Sequence, residues 1–195
     1  MTIPIPQRPS GFILGDPAAE ITIDAFVDIQ CPHSLAIWPT LLEVLKHYRN
    51  ESLSLKVHLM TLSDHRQAWD VSLGLFALAE DSAITFYGFA TFLYVRQEQF
   101  NNASFFNKTH DDLRQLIADY AAEYSAIEKS DFDRNKFLKR MDDHDIYIQA
   151  RTPIRYAATK SVWATPTVFI NNGVNVGVDH RSKLSDWREV IDPLL

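Results

Sequence analysis

The stretch Ile21-Thr-Ile-Asp-Ala-Phe-Val-Asp-Ile-Gln-Cys31-Pro-His-Ser34 decides the reading of this chain. Its first nine residues are β-branched and apolar enough for a buried strand. Helical spacing then begins with Leu35, Trp38, Leu41, Leu42, Leu45 and Tyr48. Cys31 stands where that strand hands over to that helix. The free N–H groups and positive dipole end of a helix N-terminus stabilise an anion there. Pro32 suits an early helical position, because it lacks only a donor the helix start does not need. His33 can donate to a thiolate and Ser34 offers a hydroxyl, so the surroundings favour the reactive form of the sulfur. A lone cysteine is otherwise a small buried hydrophobe, and its placement at the junction is what argues for chemistry.

Working outward, Leu53, Leu55, Val57 and Leu59 alternate with Ser54, Lys56 and His58, a strand period. Strand, helix and strand at this spacing make a parallel βαβ unit. A helical block follows. Asp64 is placed to cap its first helix and Ser82 the next, and Thr109 with Asp112 forms a capping box. Ser130 with Asp133 repeats that cap, and Thr152 before Pro153 reads as an N-cap with its N1 proline. The aromatic stretch from Phe86 to Phe106 reads as core of this block. Strands return with Pro166–Ile170, then Asn171-Asn-Gly173 as a hairpin signal before Val174–Val178, and Ser182 caps a last helix. Residues 1–10 read as an extended arm. The expected fold class is α/β. The expected organisation is a sheet-bearing core over 1–62 and 160–195 with a helical insertion over 63–159.

Composition limits the function. The 195 residues carry 19 basic and 25 acidic side chains, a net charge of −6, which argues against non-specific nucleic-acid binding. No apolar run is long enough for a membrane span. One cysteine excludes an internal disulfide, which fits a reducing compartment. The proline-broken N-terminus does not read as a signal peptide, so the compartment stays open with the cytoplasm favoured. Three N-x-Ser/Thr sequons, at Asn50, Asn102 and Asn107, pull weakly the other way. Asp142-Asp143-His144-Asp145 looks metal-like, but consecutive helical residues point apart, so a solvated helix end is expected and no metal.

Two motifs together resemble the DsbA-like branch of the thioredoxin superfamily. The first is the opening Gly15-Asp16-Pro17 with Ile21–Ser34, similar to that branch's strand leading into a C-P-x-C active-site helix. Pro39 matches the proline that kinks that helix in thioredoxins. The second is Val162-Trp-Ala-Thr165-Pro166-Thr-Val-Phe-Ile-Asn171, similar to the segment whose proline is cis and faces the catalytic cysteine. The resemblance runs from about residue 11 to 195. It implies a thioredoxin-like fold with a helical insertion, Cys31 as nucleophile with His33 and Ser34 beside it, and Pro32, Thr165 and Pro166 as the substrate-binding surface.

Two departures change what the resemblance implies. The resolving cysteine of the family is Ser34 here, and its usual buried acid is Ala25. Without a second thiol the internal release of a mixed disulfide is impossible. Monothiol chemistry remains, in which Cys31 attacks a disulfide and an outside thiol such as glutathione completes the cycle. No bound cofactor is expected, with glutathione as a co-substrate, and the expected partner is a thiol- or disulfide-containing protein or glutathione itself. One alternative is a non-catalytic peptide- or protein-binding module on the same fold. Another is a kappa-type glutathione transferase or isomerase, although that class carries serine at the place of Cys31.

Overall fold

The computed structural model describes residues 8–174 and 177–195. Most of the arm over 1–10, and part of the strand expected over 174–178, lie outside them. Strand β1 (Phe12–Leu14) is followed by β2 (Ile21–Val27), helix α1 (Pro32–Ser52) and β3 (Leu53–Leu59). Five helices come next: α2 (Ala68–Ala79), α3 (Ala83–Val95), α4 (His110–Ile127), α5 (Arg134–Met141) and α6 (His144–Thr159). The chain closes with β4 (Thr167–Ile170), β5 (Gly173–Val174) and α7 (Leu184–Ile191). The strand order is β1-β3-β2-β4-β5. β2 and β3 are parallel, from Ile21 opposite Leu53 to Val27 opposite Leu59, as a βαβ unit demands. β1 on β3, β4 on β2 and β5 on β4 are antiparallel. β1 was not foreseen, because three residues give no period to read.

The two sheet faces differ. One buries Ile21, Ile23, Ala25, Val27, Leu53, Leu55, Val57 and Leu59 against Trp38 and Leu41 of α1 and the apolar faces of α2 and α3. The other covers Phe26 and Phe169 with α6. Ser54 and His58 are buried there too, so the polar half of the β3 alternation does not face water. The helical block and the sheet share one core. Phe12 stacks on Phe86 with ring centres 4.0 Å apart. The Tyr87 hydroxyl reaches the carbonyls of Phe12 (3.0 Å) and Leu55 (2.8 Å). Gly74 lets α4 approach α2 closely, since a Cβ there would lie 2.3 Å from the Ile117 Cγ2. Among the described residues no helix is long and apolar enough to cross a membrane.

Caps decide several boundaries. Ser82 accepts from Thr85 N–H, and Thr109 with Asp112 makes the expected box. Four expected caps are elsewhere. Asp64 does not cap α2, whose N-cap is Gln67, because Gln67 is tied to Gln30. Asp133 itself caps α5 through Lys136 N–H, while Ser130 closes the preceding turn on Ser125 O. Thr152 and Pro153 lie inside α6, where the Thr152 hydroxyl donates back to Ile148 O. Losing one N–H at Pro153 costs less than ending a helix that buries Ile146, Ala150 and Ala157. Ser182 accepts from Asp179 N–H in the turn before α7, and Asp186 holds the Lys183 N–H at the helix start. The hairpin turn is Asn171-Asn172, both at positive φ, with Gly173 already paired to Ile170. Two positive φ values are the primed turn that matches strand twist.

Candidate functional site

Cys31 sits at the helix junction, as the local sequence dictates. Its N–H donates to Asp28 O at 3.1 Å, and its carbonyl accepts the first helical bond from Leu35 N–H at 3.0 Å. Pro32 is therefore the first residue of α1, where its missing N–H costs nothing. Cys31 is 3% exposed, and its thiol donates to the Thr165 carbonyl at 3.3 Å. The Thr165–Pro166 peptide bond is cis. The fold thus brings Cys31, Thr165 and Pro166 together from chain segments far apart in sequence. The buried Thr165 hydroxyl has no hydrogen-bond partner among the described residues.

The neighbours of Cys31 divide by helix geometry. Pro32 and His33 face outward and are exposed, whereas Ser34 is fully buried. The Ser34 hydroxyl accepts from Asp28 N–H at 3.1 Å, so it closes the turn rather than reaching the sulfur. The His33 ring packs on His180, from the segment before α7, with ring centres 4.2 Å apart. Its recorded contact is this ring and not the sulfur. Trp163, three residues before Pro166, is 84% exposed. An exposed indole in the segment that leads to the half-buried Pro166 is apolar surface offered to solvent.

Beneath this turn lies a polar network that sequence reading missed. Asp28 is buried, and its carboxylate accepts from Gln30 N–H (2.7 Å), Leu62 N–H (2.7 Å) and His65 Nδ1 (2.9 Å). Donating that hydrogen bond to Asp28 raises the His65 pKa, against partial burial. The Gln30 amide donates to Gln67 Oε1 and Asn102 Oδ1, and Asn102 in turn donates to Asp64 O. The Asn102 sequon is therefore occupied by structure. Gln97 donates to the carbonyls of Ile29 and Cys31, both at 3.0 Å. Spacing gives no sign of these contacts. Two of the network's amides, Gln97 and Asn102, lie in the aromatic stretch, of which Phe86, Phe89 and Phe100 are core and Phe106 is 76% exposed.

A second His–Asp pair lies farther along the sheet. His58 Nε2 meets Asp24 Oδ1 at 2.8 Å, and His58 Nδ1 meets Ser10 Oγ at 2.8 Å. Burial pushes the His58 pKa down despite the Asp24 hydrogen bond and charge. Burial also opposes ionisation of Asp24, yet the His58 contact with Lys56 and Lys160 nearby holds its carboxyl below the usual value. With Asp24 accepting, the ring proton sits on Nε2 and Nδ1 accepts from Ser10. The residues Asp142, Asp143 and Asp145 are taken up by arginines: Asp142 by Arg114, Asp143 and Asp145 by Arg140. Among the described residues no three His, Cys, Asp or Glu side chains converge as a metal site. A cavity of about 580 Å³ lies between the approach to β1 and α6, lined by Arg8, Phe12, Phe76, Arg140 and Gln149 and by none of the residues around Cys31.

The thioredoxin family model Thioredoxin_4 matches residues 7–193, so the chain belongs to the thioredoxin family. No curated protein matches it in sequence. Solved structures do match in fold. A protein-disulfide isomerase candidate from Pseudomonas syringae superposes with a TM-score of 0.78 at 16% identity, covering 93% of this chain and 97% of that one. Chlamydia trachomatis DsbA gives 0.72 at 14% identity, covering 100% and 96%. The catalytic domain of Proteus mirabilis ScsC gives 0.69 at 12% identity, covering 96% and 90%. The fold is therefore a DsbA-like thioredoxin fold.

Proposed function

We propose that this DsbA-like thioredoxin-family chain is a monothiol oxidoreductase whose one nucleophile is Cys31. The observation that carries the reading is the Cys31 sulfur at a helix N-terminus, 3.3 Å from the carbonyl that precedes Pro166, with Ser34 where a second thiol would stand. The Cys31 thiolate attacks one sulfur of a disulfide. A new Cys31–S–S–R bond forms, and the other half leaves as a thiolate that takes up a proton. An external thiol such as glutathione then attacks the R sulfur, releasing Cys31 as a thiolate and R as a disulfide with glutathione. The net change is thiol–disulfide exchange: one half of the substrate leaves as a thiol and the other as a mixed disulfide with the external thiol, and a second external thiol completes the reduction by releasing R as a thiol and leaving as its own disulfide. Pro32, Thr165 and Pro166 make the substrate-binding face in this reading, and an extended peptide pairs with the Thr165 backbone once the thiol proton is gone. His33, exposed two residues after Cys31, is the side chain we assign to meeting the substrate.

The burial of Cys31 favours a second reading, in which the same surface binds a peptide and does not turn over. One experiment separates them. The protein and Cys31→Ala are mixed with a glutathionylated peptide, and mixed disulfides are followed by mass. Capture by Cys31 and release on adding glutathione, over many cycles, is the expected result. Peptide binding that survives Cys31→Ala, with no glutathione adduct on the natural protein, would leave the binding module.

A further inference from the structure

We infer that Gln97 is the positioning residue that sets the Cys31 sulfur in place, by clamping the active-site turn from the helical block. This rests on the reading of Cys31 as the nucleophile. The Gln97 side chain is 6% exposed, in the short 3-10 helix Gln97–Phe100 that follows α3. Its amide nitrogen donates to Ile29 O and to Cys31 O, each at 3.0 Å. Those carbonyls stand on either side of Gln30. Ile29 is fully buried and lies beyond the end of β2, so the sheet ladder no longer supplies its donors. A buried carbonyl left without a donor costs free energy, and the Gln97 amide meets that need.

A primary amide has two N–H groups fixed in one plane. Using both at once fixes the separation and tilt of the two carbonyls. Gln30, between them, is gripped separately: it donates to Gln67 Oε1 at 3.1 Å and to Asn102 Oδ1 at 2.9 Å, and accepts from Gln67 N–H at 3.0 Å. Three consecutive residues, 29 to 31, are thus held from the helical block by the Gln97, Gln67 and Asn102 amides, while the Asp28 carboxylate holds the Gln30 N–H at 2.7 Å from within the turn. The result is a rigid turn that keeps the sulfur aimed at Thr165 O.

Gln97→Met keeps the length of the side chain and removes both donors. The turn then loosens, the sulfur leaves Thr165, and access and alignment change in opposite directions. The test uses the full chain as Gln97→Met, with Phe137→Ala in α5 as a control of lowered stability remote from the turn. Alkylation of Cys31 by iodoacetamide is followed from about pH 5 to pH 9. Mixed-disulfide formation with a glutathionylated peptide is followed at one pH, and Tm is measured for all. Gln97→Met is expected to alkylate several-fold faster, yet to form the mixed disulfide about tenfold or more slowly, because misalignment by a fraction of an ångström is enough. Gln97→Met matching Phe137→Ala in both rates overturns the inference. If Gln97→Met does not fold, the natural protein decides: the two Gln97 amide protons should be separated in the NMR spectrum and exchange slowly, and fast exchange overturns the clamp. A natural protein that forms no mixed disulfide defeats the nucleophile reading, while the alkylation rates and the Gln97 protons still judge the clamp.

Discussion

Two histidine–aspartate pairs, Asp24–His58 and Asp28–His65, grow from the same strand and its extension, and they behave oppositely. Their contacts are alike, 2.8 Å and 2.9 Å. The His58 side chain is 1% exposed and its burial outweighs the acid beside it, so its pKa falls. The His65 side chain is 15% exposed, the Asp28 hydrogen bond outweighs burial, and its pKa rises. The chemistry of the pair does not set the sign. Access of water to the imidazole does. The placement follows the fold: His58 lies under α6, stacked on Phe26 with ring centres 4.6 Å apart, whereas His65 lies in the loop between β3 and α2.

The largest expected effect tests what each acid holds. Asp28→Ala strands three donors, Gln30 N–H, Leu62 N–H and His65, at the turn that carries Cys31. A loss of about 3–5 kcal/mol is expected in urea unfolding, the range for breaking a buried network. Asp24→Ala strands one donor, His58 Nε2–H, and should lose about 1–3 kcal/mol. Equal losses would break the comparison.

The pH dependence sharpens it. His65 has a raised folded pKa, so its contribution is complete below about pH 6.5, the unfolded value, and is lost as pH rises through the folded one. His58 has a lowered folded pKa. Below about pH 6.5 the unfolded chain takes up a proton that the folded chain refuses, and stability falls as pH falls. Unfolding free energies should therefore show His65→Gln most costly at acid pH. His58→Gln should instead flatten the acid-side fall. The same pH slope in both variants would show that the two imidazoles do not differ in protonation.

The smallest effect concerns a histidine paired with another ring, His33 on His180. His33 is exposed and its ring packs on the His180 ring, so His33→Ala should change stability by no more than about 0.5 kcal/mol in urea unfolding, while slowing peptide exchange if it meets the substrate. A loss as large as that of Asp24→Ala would mean that the ring contact anchors the segment before α7.

Much of this was legible in the chain. Ile21–Val27 and Leu53–Leu59 declare themselves by branching and period, and Thr109 with Asp112 declares a helix start, because each signal is local. Cys31 and Pro32 at the start of α1 were equally plain. The caps at Asp64, Thr152 and Ser182 were not, since Gln67, tied to Gln30, starts α2 in place of Asp64, Thr152 continues a helix favoured by burial, and the Ser182 hydroxyl is taken by Asp179 N–H. The split between outward His33 and inward Ser34 follows from helical rotation, but the partners of each come from residues 28 and 180.

The sequence by itself determined the element types, the parallel βαβ unit and the single thiol at a helix N-terminus, because periodicity, capping and covalent order act over a few residues. That Thr165 faces Cys31 was expected through the family resemblance, and only the tertiary structure decided that Gln97 grips the turn and that two like His–Asp pairs hold their protons differently. Those outcomes depend on which distant segments exclude water from a given atom, and burial is a property of the folded assembly of segments, not of any one of them.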